Sequence, residues 1–262
     1  MKNIYISSNL MWDASLEEMF QVVETYGLGG IEFWAQHMEA KDYDIEVCRN
    51  KLEQYQLACI VHGKSWDLNI ASLNKEIRKT SLMEIKSSID LAAKLGAKEV
   101  TIHPPRETIG GDRETCVKLA KQGLKELIAY GEENEINISL EIMENIPKEL
   151  ITNATELIEV MGEEYKRISY TLDLAHCESI EAFNILHDAL YQVSKIHISN
   201  RQGNKLHTPL SKGDYNFYEL MPLLESKKVP LVIEGFERGN EFKDLKENIN
   251  LLKKIKEDLP CL

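Results

Sequence analysis

The chain has 262 residues, 43% of them hydrophobic, enough for a substantial core; its 43 acidic against 31 basic side chains give a formal net charge of −12 at pH 7 and a pI near 5.2. A surface of that sign repels phosphate backbones and anionic headgroups, which argues against nucleic-acid and membrane-surface binding. The five cysteines (Cys48, Cys59, Cys116, Cys177, Cys261) are scattered and lack CxxC spacing, which suits reduced thiols in a cytoplasm; MKNIYISSNLMW does not read as a signal peptide, and no run approaches the ~20 apolar residues of a membrane span.

In chain order, the first strand-like run is NIYIS (3–7). A helix follows, opened by the capping box SLEE at Ser15 and stopped by Gly27. GIEFW (30–34) precedes a helical pattern over 42–56, and ACIVH (58–62) one over 73–95 that Gly96 closes. EVTIH (99–103) is followed by a helix over 112–134. ISLEI (138–142) leads to a helix over 154–162, where Asn153 and Glu156 repeat the cap pattern. SYTLD (169–173), SKIHIS (194–199) and LVIEGF (231–236) are followed by helices over 179–191, 216–226 and 241–258. Strict alternation of short aliphatic strands with helices predicts parallel βαβ units, and eight of them close into a (β/α)8 TIM barrel, one α/β domain over 1–262. The rival is an open doubly wound sheet. It usually announces itself with a glycine-rich first turn, and none follows NIYIS.

Seven of the eight runs carry an ionisable residue at or near their C-terminal end: Glu32, His62, His103, Glu141, Asp173, His197 and Glu234. Side chains alternate faces along a strand. Leu140 and Ile142 therefore oppose Glu141, Ile196 and Ile198 oppose His197, Ile102 opposes His103, and Leu231 and Ile233 oppose Glu234. The aliphatics suit the layer under the helices, so the ionisable set points into the barrel at its C-terminal mouth, where such barrels place their chemistry. Four carboxylates and three imidazoles crowded together need compensation, because buried like charges cost several kcal/mol. A divalent metal supplies it, and oxygen with imidazole ligands suits Zn²⁺, Mn²⁺, Co²⁺, Fe²⁺ or Mg²⁺.

With these residues in this order, the chain resembles the xylose-isomerase-like TIM barrels, which include sugar isomerases and epimerases related to D-tagatose 3-epimerase and the endonuclease IV branch. In the epimerase branch one metal is held from strands five to eight, and Glu141 (SLEIMEN), Asp173 (TLDLAH), His197 (IHISN) and Glu234 (VIEGF) match those ligands. The resemblance implies that Glu141 and Glu234 also shuttle protons and that His176, three residues after the aspartate, contacts substrate. The stretch HTPLSKGDYNF resembles that branch's H-x-P-x-G-[EQ]-G-x-x-[DN]-[FY] loop at His207, Pro209, Gly213, Asn216 and Phe217, while Ser211 and Lys212 depart from it. His62 and His103 match further ligands of the endonuclease IV branch, which implies a second metal. A third metal there uses the equivalents of His176 and His207 with an aspartate where this chain has Lys205, and a protonated lysine cannot ligate.

The resemblance and the strand ends lead first to a metal-dependent isomerase or epimerase of a small sugar or related hydroxy-carbonyl compound. Glu141 and Glu234 would move a proton through a metal-stabilised enediolate. The alternatives are a two-metal phosphoesterase using His62, His103 and Glu141 for its first site, and a non-catalytic metabolite-binding barrel. Expected substrate contacts are His176, His207, Glu32, Trp34, Arg201 and Lys212; Lys64 and Arg106 lie in loops that could also meet an anionic group. Trp12, Trp34 and Trp66 fall just after strands as a candidate apolar wall. His37 reads as a loop residue, His187 as a surface one, Cys177 as neutral packing, and Glu144 as second choice to Glu141. The expected partner is a small-molecule substrate, with no nucleic acid and no membrane; a homo-oligomer is left open.

Overall fold

Residues 1–109 and 112–259 are described by the structure, a computed structural model; Cys261 lies outside them. Strands β1 (Ile4–Ser7), β2 (Gly30–Trp34), β3 (Ala58–His62), β4 (Glu99–Ile102), β5 (Asn137–Ile142), β6 (Ser169–Asp173) and β7 (Val193–Ile198) are parallel neighbours in sequence order. A short antiparallel hairpin, β8 (Asn200–Gln202) and β9 (Lys205–Thr208), follows. Strand β10 (Leu231–Ile233) then pairs with both β7 and β1 and closes the barrel.

The helices are α1 (Leu16–Tyr26), α2 (Ala35–Ala40), α3 (Ile45–Tyr55), α4 (Lys75–Leu95), α5 (Arg113–Glu133), α6 (Ala154–Met161), α7 (Ile180–Ala189), α8 (Phe217–Ser226) and α9 (Lys243–Asp258). The capping box at Ser15 forms, and Gly27 ends α1 with φ +61°. Asn153 caps α6, but Glu156 turns back to Thr152 N (2.9 Å) rather than to Asn153. Three expected runs are trimmed: the fourth strand stops at Ile102, the seventh at Ile198 and the last at Ile233, so His103 and Glu234 stand one residue beyond their strands. Helix α2 and the hairpin had no counterpart in the sequence pattern.

Two layers follow from strand parity. The outward residues Val100, Ile102, Ile138, Leu140, Ile142, Tyr170, Leu172, Ile196, Ile198, Leu231 and Ile233 are each no more than 2% exposed beneath the helices. The inward residues of β4 to β6 are polar at successive levels: Glu99 and Thr101, then Asn137, Ser139 and Glu141, then Ser169, Thr171 and Asp173. Hydrogen bonds cross that interior, with Ser139 Oγ 2.7 Å from Thr171 Oγ1 and 3.0 Å from Ser194 Oγ. The register of β6 on β7 slips between Tyr170 and Thr171, which pair with Val193 and Lys195. That bulge turns both Ser194 and Lys195 inward, where each contacts Glu99.

No described helix is long and apolar enough to cross a membrane, and Cys48, Cys59, Cys116 and Cys177 are free thiols.

Candidate metal centre

Local chain chemistry aims each side chain at the mouth. At the end of β6, Asp173 Oδ1 accepts from Ala175 N (2.6 Å) and His176 N (3.3 Å), an Asx-type turn that leaves Oδ2 facing the barrel axis. The same turn brings His176 round, and its Nδ1–H donates to Ile142 O at 2.9 Å, leaving Nε2 toward Glu144 and Asp173. His62 is fixed in the same way: Nδ1 is 2.9 Å from Gly63 O, and Nε2 faces Glu141 Oε2 at 3.4 Å. Trp34 stacks on the His62 ring at 3.8 Å between centroids, 6° from parallel.

Among the described residues three groups of ligand atoms result, each with all its atoms within 4.8 Å of one another: Glu141, Asp173, His197 and Glu234; His62, His103 and Glu141; and Asp173, His176 and His207. Glu141 joins the first two groups and Asp173 joins the first and third. In the first group, His197 Nδ1 lies 2.8 Å from Glu234 Oε2, 3.5 Å from Glu141 Oε1 and 4.0 Å from Asp173 Oδ2. Ligands about 2.1 Å from a tetrahedral ion sit roughly 3.4 Å apart, so the spacing is of the right size. Glu141 Oε2, Asp173 Oδ2, Glu234 Oε2, His62 Nε2 and His197 Nδ1 are all buried without a hydrogen-bond partner among the described residues. Buried polar atoms are seldom left so. These residues fit a divalent cation.

The electrostatics of the protein alone show the need for positive charge. Burial by itself would lower His197, but Glu32, Glu234 and Glu141 outweigh it and hold the ring well above its ordinary value. Burial would raise Glu141 and Glu234; His197 chiefly reverses this, and both stay below the usual carboxylate range. Asp173 is pushed up to about 6 by burial, with Glu234 adding to it. His176 rises to about 9 because Asp173, Glu141 and Glu144 outweigh its burial.

The remaining expected contacts divide. A cavity of about 400 Å³ opens above Glu234 and His207, lined also by Asn9, Trp34, Trp66, Gly235 and Phe236. Trp12 supports that wall, 5.5 Å from Trp66 and 5.2 Å from Phe236 between ring centroids. Glu32 is not at the mouth. It is fully buried beneath the cluster, with Oε2 3.0 Å from His197 Nε2 and Oε1 accepting from Thr101 Oγ1 at 2.8 Å. Arg201 differs from expectation too: its guanidinium is spent on the carbonyls of Ala175, Cys177 and Gly203, bracing the hairpin against the turn after β6. Lys212 lies 62% exposed and pairs with Glu247 of α9 at 2.6 Å. Lys64 is held by Glu39 and Glu84, and Arg106 by Glu149. Glu144 is displaced from the cluster centre, 3.7 Å from His176 Nε2, whereas Glu141 sits within it.

His37 is in α2 rather than a loop; its ring stacks on Trp12, and burial lowers its pKa to about 4. Sequence reading missed Lys195, Thr101 and Asn9. The first two share parity with His197 and His103, a signal the strand ends already contained.

Known proteins give the same placement. A family model described as xylose isomerase-like TIM barrel matches residues 20–255. An uncharacterised protein of Methanocaldococcus jannaschii is 27% identical over 83% of this chain and 82% of its own. A Thermosipho melanesiensis protein named "Probable endonuclease 4" is 26% identical over 87% of this chain and 92% of its own. A crystal structure of a D-tagatose 3-epimerase-like protein superposes with TM-score 0.82 at 22% identity, over 99% of this chain and 98% of that one, a likeness of fold. With its eight-stranded closed barrel and a family match that runs from residue 20 to residue 255, the chain belongs to the xylose isomerase-like TIM barrel family.

Proposed function

We propose that the protein is a divalent-metal-dependent isomerase or epimerase of a small sugar or related hydroxy-carbonyl compound. The observation that carries this is a pair of buried glutamates in one ligand group, one of which lines an aromatic-walled cavity. Glu141 and Glu234 lie with Asp173 and His197 in that group, and Glu234 also lines about 400 Å³ of space walled by Trp34, Trp66 and Phe236. Those four residues would hold the ion, which when bound polarises a carbonyl and its neighbouring hydroxyl.

The chain's own residues do the rest. Glu141 and Glu234 are the two carboxylates of the group long enough to reach both the ion and a neighbouring substrate carbon, and they would act as the proton acceptor and donor. One takes the proton from the carbon beside the carbonyl and the other returns one from the opposite side. Trp34 and Trp66 wall the cavity beside that exchange, and His207, a third exposed, meets the substrate at the rim. The partner is a small molecule: a surface of net charge −12 repels a polyanion.

A second reading, two-metal hydrolysis of a phosphoester, is favoured by the His62, His103 and Glu141 group and by the fixed tautomer of His62, which aims a lone pair at Glu141. The relative named for an endonuclease stands with it. Variants separate the two. For the isomerase, Glu234→Gln lowers turnover by roughly 10²–10⁴-fold, while His62→Ala and His103→Ala are milder. One ion per chain accompanies that pattern. Two ions per chain, phosphate release from a monoester or diester, and large losses at His62 and His103 would replace the first reading with the second.

A further inference from the structure

We propose that Lys195 and Glu32 are positioning residues that hold the proton of His197 on Nε2 and thereby present its Nδ1 lone pair to the metal. The inference rests on the reading of Glu141, Asp173, His197 and Glu234 as ligands, and it holds for either reaction.

His197 differs from His62 and His176, the two rings of the cluster anchored on the backbone. His62 and His176 each set their tautomer against a backbone carbonyl, Gly63 O and Ile142 O, both at 2.9 Å. His197 makes no such contact among the described residues, and it is turned the other way, with Nδ1 inward. Three carboxylates draw a proton toward that Nδ1: Glu234 at 2.8 Å, Glu141 at 3.5 Å and Asp173 at 4.0 Å. A proton there blocks coordination. The opposing pull comes from Glu32, whose Oε2 lies 3.0 Å from Nε2 as a close charge contact, off the line of a hydrogen bond.

Glu32 can play this part only as a carboxylate, in a place with no solvent. Its side chain and that of Lys195 are both fully buried. Lys195 Nζ stands 4.0 Å from Glu32 Oε1 and 2.6 Å from Glu99 Oε1, on the barrel floor, where the Glu99 side chain is 16% exposed. Glu99, Lys195 and Glu32 thus alternate in charge along the barrel interior beneath His197. The bulge in β7 and the parity that Lys195 shares with His197 put it there. A buried ion pair is weak evidence for a stabilising role, since an apolar pair of similar volume often serves as well. Carboxylates behind metal-bound histidines fix ring tautomer and orientation, and their loss commonly costs metal affinity 10–100-fold.

The test uses the full chain stripped of metal, with Zn²⁺ alone as probe in competition with a chromophoric chelator, and thermal melts in EDTA alongside. The variants are Asp173→Ala, Lys195→Met, Glu32→Gln and the double variant Glu32→Gln/Lys195→Met. Lys195→Met alone strands the buried Glu32 carboxylate, leaves the part-exposed Glu99 unpaired, and melts lower without metal. The double variant removes both charges together and melts near the parent without metal, yet binds Zn²⁺ roughly 10–100-fold more weakly. A double variant that binds Zn²⁺ within about twofold of the parent overturns the proposal, since a purely structural pair predicts that result.

A long-range ¹H–¹⁵N spectrum of the Zn²⁺-loaded parent gives an answer that depends on no variant's folding. His197 is expected protonated at Nε2 and coordinated at Nδ1, and the reverse assignment overturns the proposal. If the parent binds no Zn²⁺, the metal reading falls and this inference with it. If Asp173→Ala loses Zn²⁺ while the double variant keeps it, only this inference falls.

Discussion

Glu149 offers a sharp test of the electrostatics at the barrel mouth. It sits in the loop after β5, 2% exposed, with neither carboxylate oxygen in a hydrogen bond among the described residues. Its ion-pair partner Arg106 has a half-exposed side chain, so solvent screens much of that attraction. Burial dominates and pushes Glu149 from the ordinary 4.5 up to about 6; Glu144 pushes the same way, and Arg106 and His103 only partly offset them. A carboxyl with a raised folded value binds its proton more tightly in the native state. Its contribution is therefore neutral below about pH 4, where both states are protonated, grows destabilising as pH rises from about 4.5 to about 6, and levels off above that. The difference between the two values amounts to roughly 2 kcal/mol at pH 8. Glu149→Gln removes the charge and keeps the shape. Melted in EDTA, the variant should match the parent near pH 4, exceed it progressively as pH rises to about 6 and keep that margin to about pH 8, a few degrees in Tm at about 2–4 °C per kcal/mol. A variant that is less stable than the parent at pH 8, or a difference that does not change with pH, refutes the reasoning and makes the Arg106 pair the dominant effect.

Two other outcomes follow from the geometry. Asp173→Ala should lose the ion, so that the drop in Tm caused by chelator in the parent vanishes in the variant; a variant that binds metal as tightly as the parent removes Asp173 from the ligand set. Gly30→Ala should destabilise by about 1–3 kcal/mol in denaturant melts, because the new Cβ would stand 2.5 Å from Ala58 O and 3.0 Å from the Tyr5 ring. Strand β2 is paired on both sides and cannot retreat from that carbonyl; an unchanged midpoint would mean that the barrel floor yields to a methyl group.

The barrel and the ligand group were legible because both depend on local pattern. Strand parity sorts Leu140 and Ile142 from Glu141, and Ile196 and Ile198 from His197, and the Ser15 capping box and the stops at Gly27 and Gly96 mark helix ends within a few residues. What stayed hidden depends on contacts distant in sequence. Nothing near Arg201 foretells that it braces carbonyls 24 and 26 residues upstream, nor does Lys212 foretell a glutamate 35 residues on. Both therefore read as free cations at the mouth. Glu32 shares a face with the mouth residues, but parity fixes direction and not depth, so a residue beneath the cluster looked like one within it. Helix α2 has six residues, too few for a helical period to register, and it starts with no loop after Trp34. The β8–β9 hairpin is equally short and polar. Lys195 was overlooked for a different reason: a lysine in a strand is usually a solvated side chain, and here the parity of SKIHIS overrides that expectation.

Proton exchange at carbon is the most direct measurement of the proposed function. Metal-loaded protein incubated in D₂O with a panel of small ketoses and their phosphates should place deuterium on the carbon beside the carbonyl of its substrate. Glu234→Gln should slow that exchange by roughly 10²–10⁴-fold, since an amide cannot accept the proton. Metal-dependent phosphate release from an ester, with no deuterium entering any sugar of the panel, would contradict it.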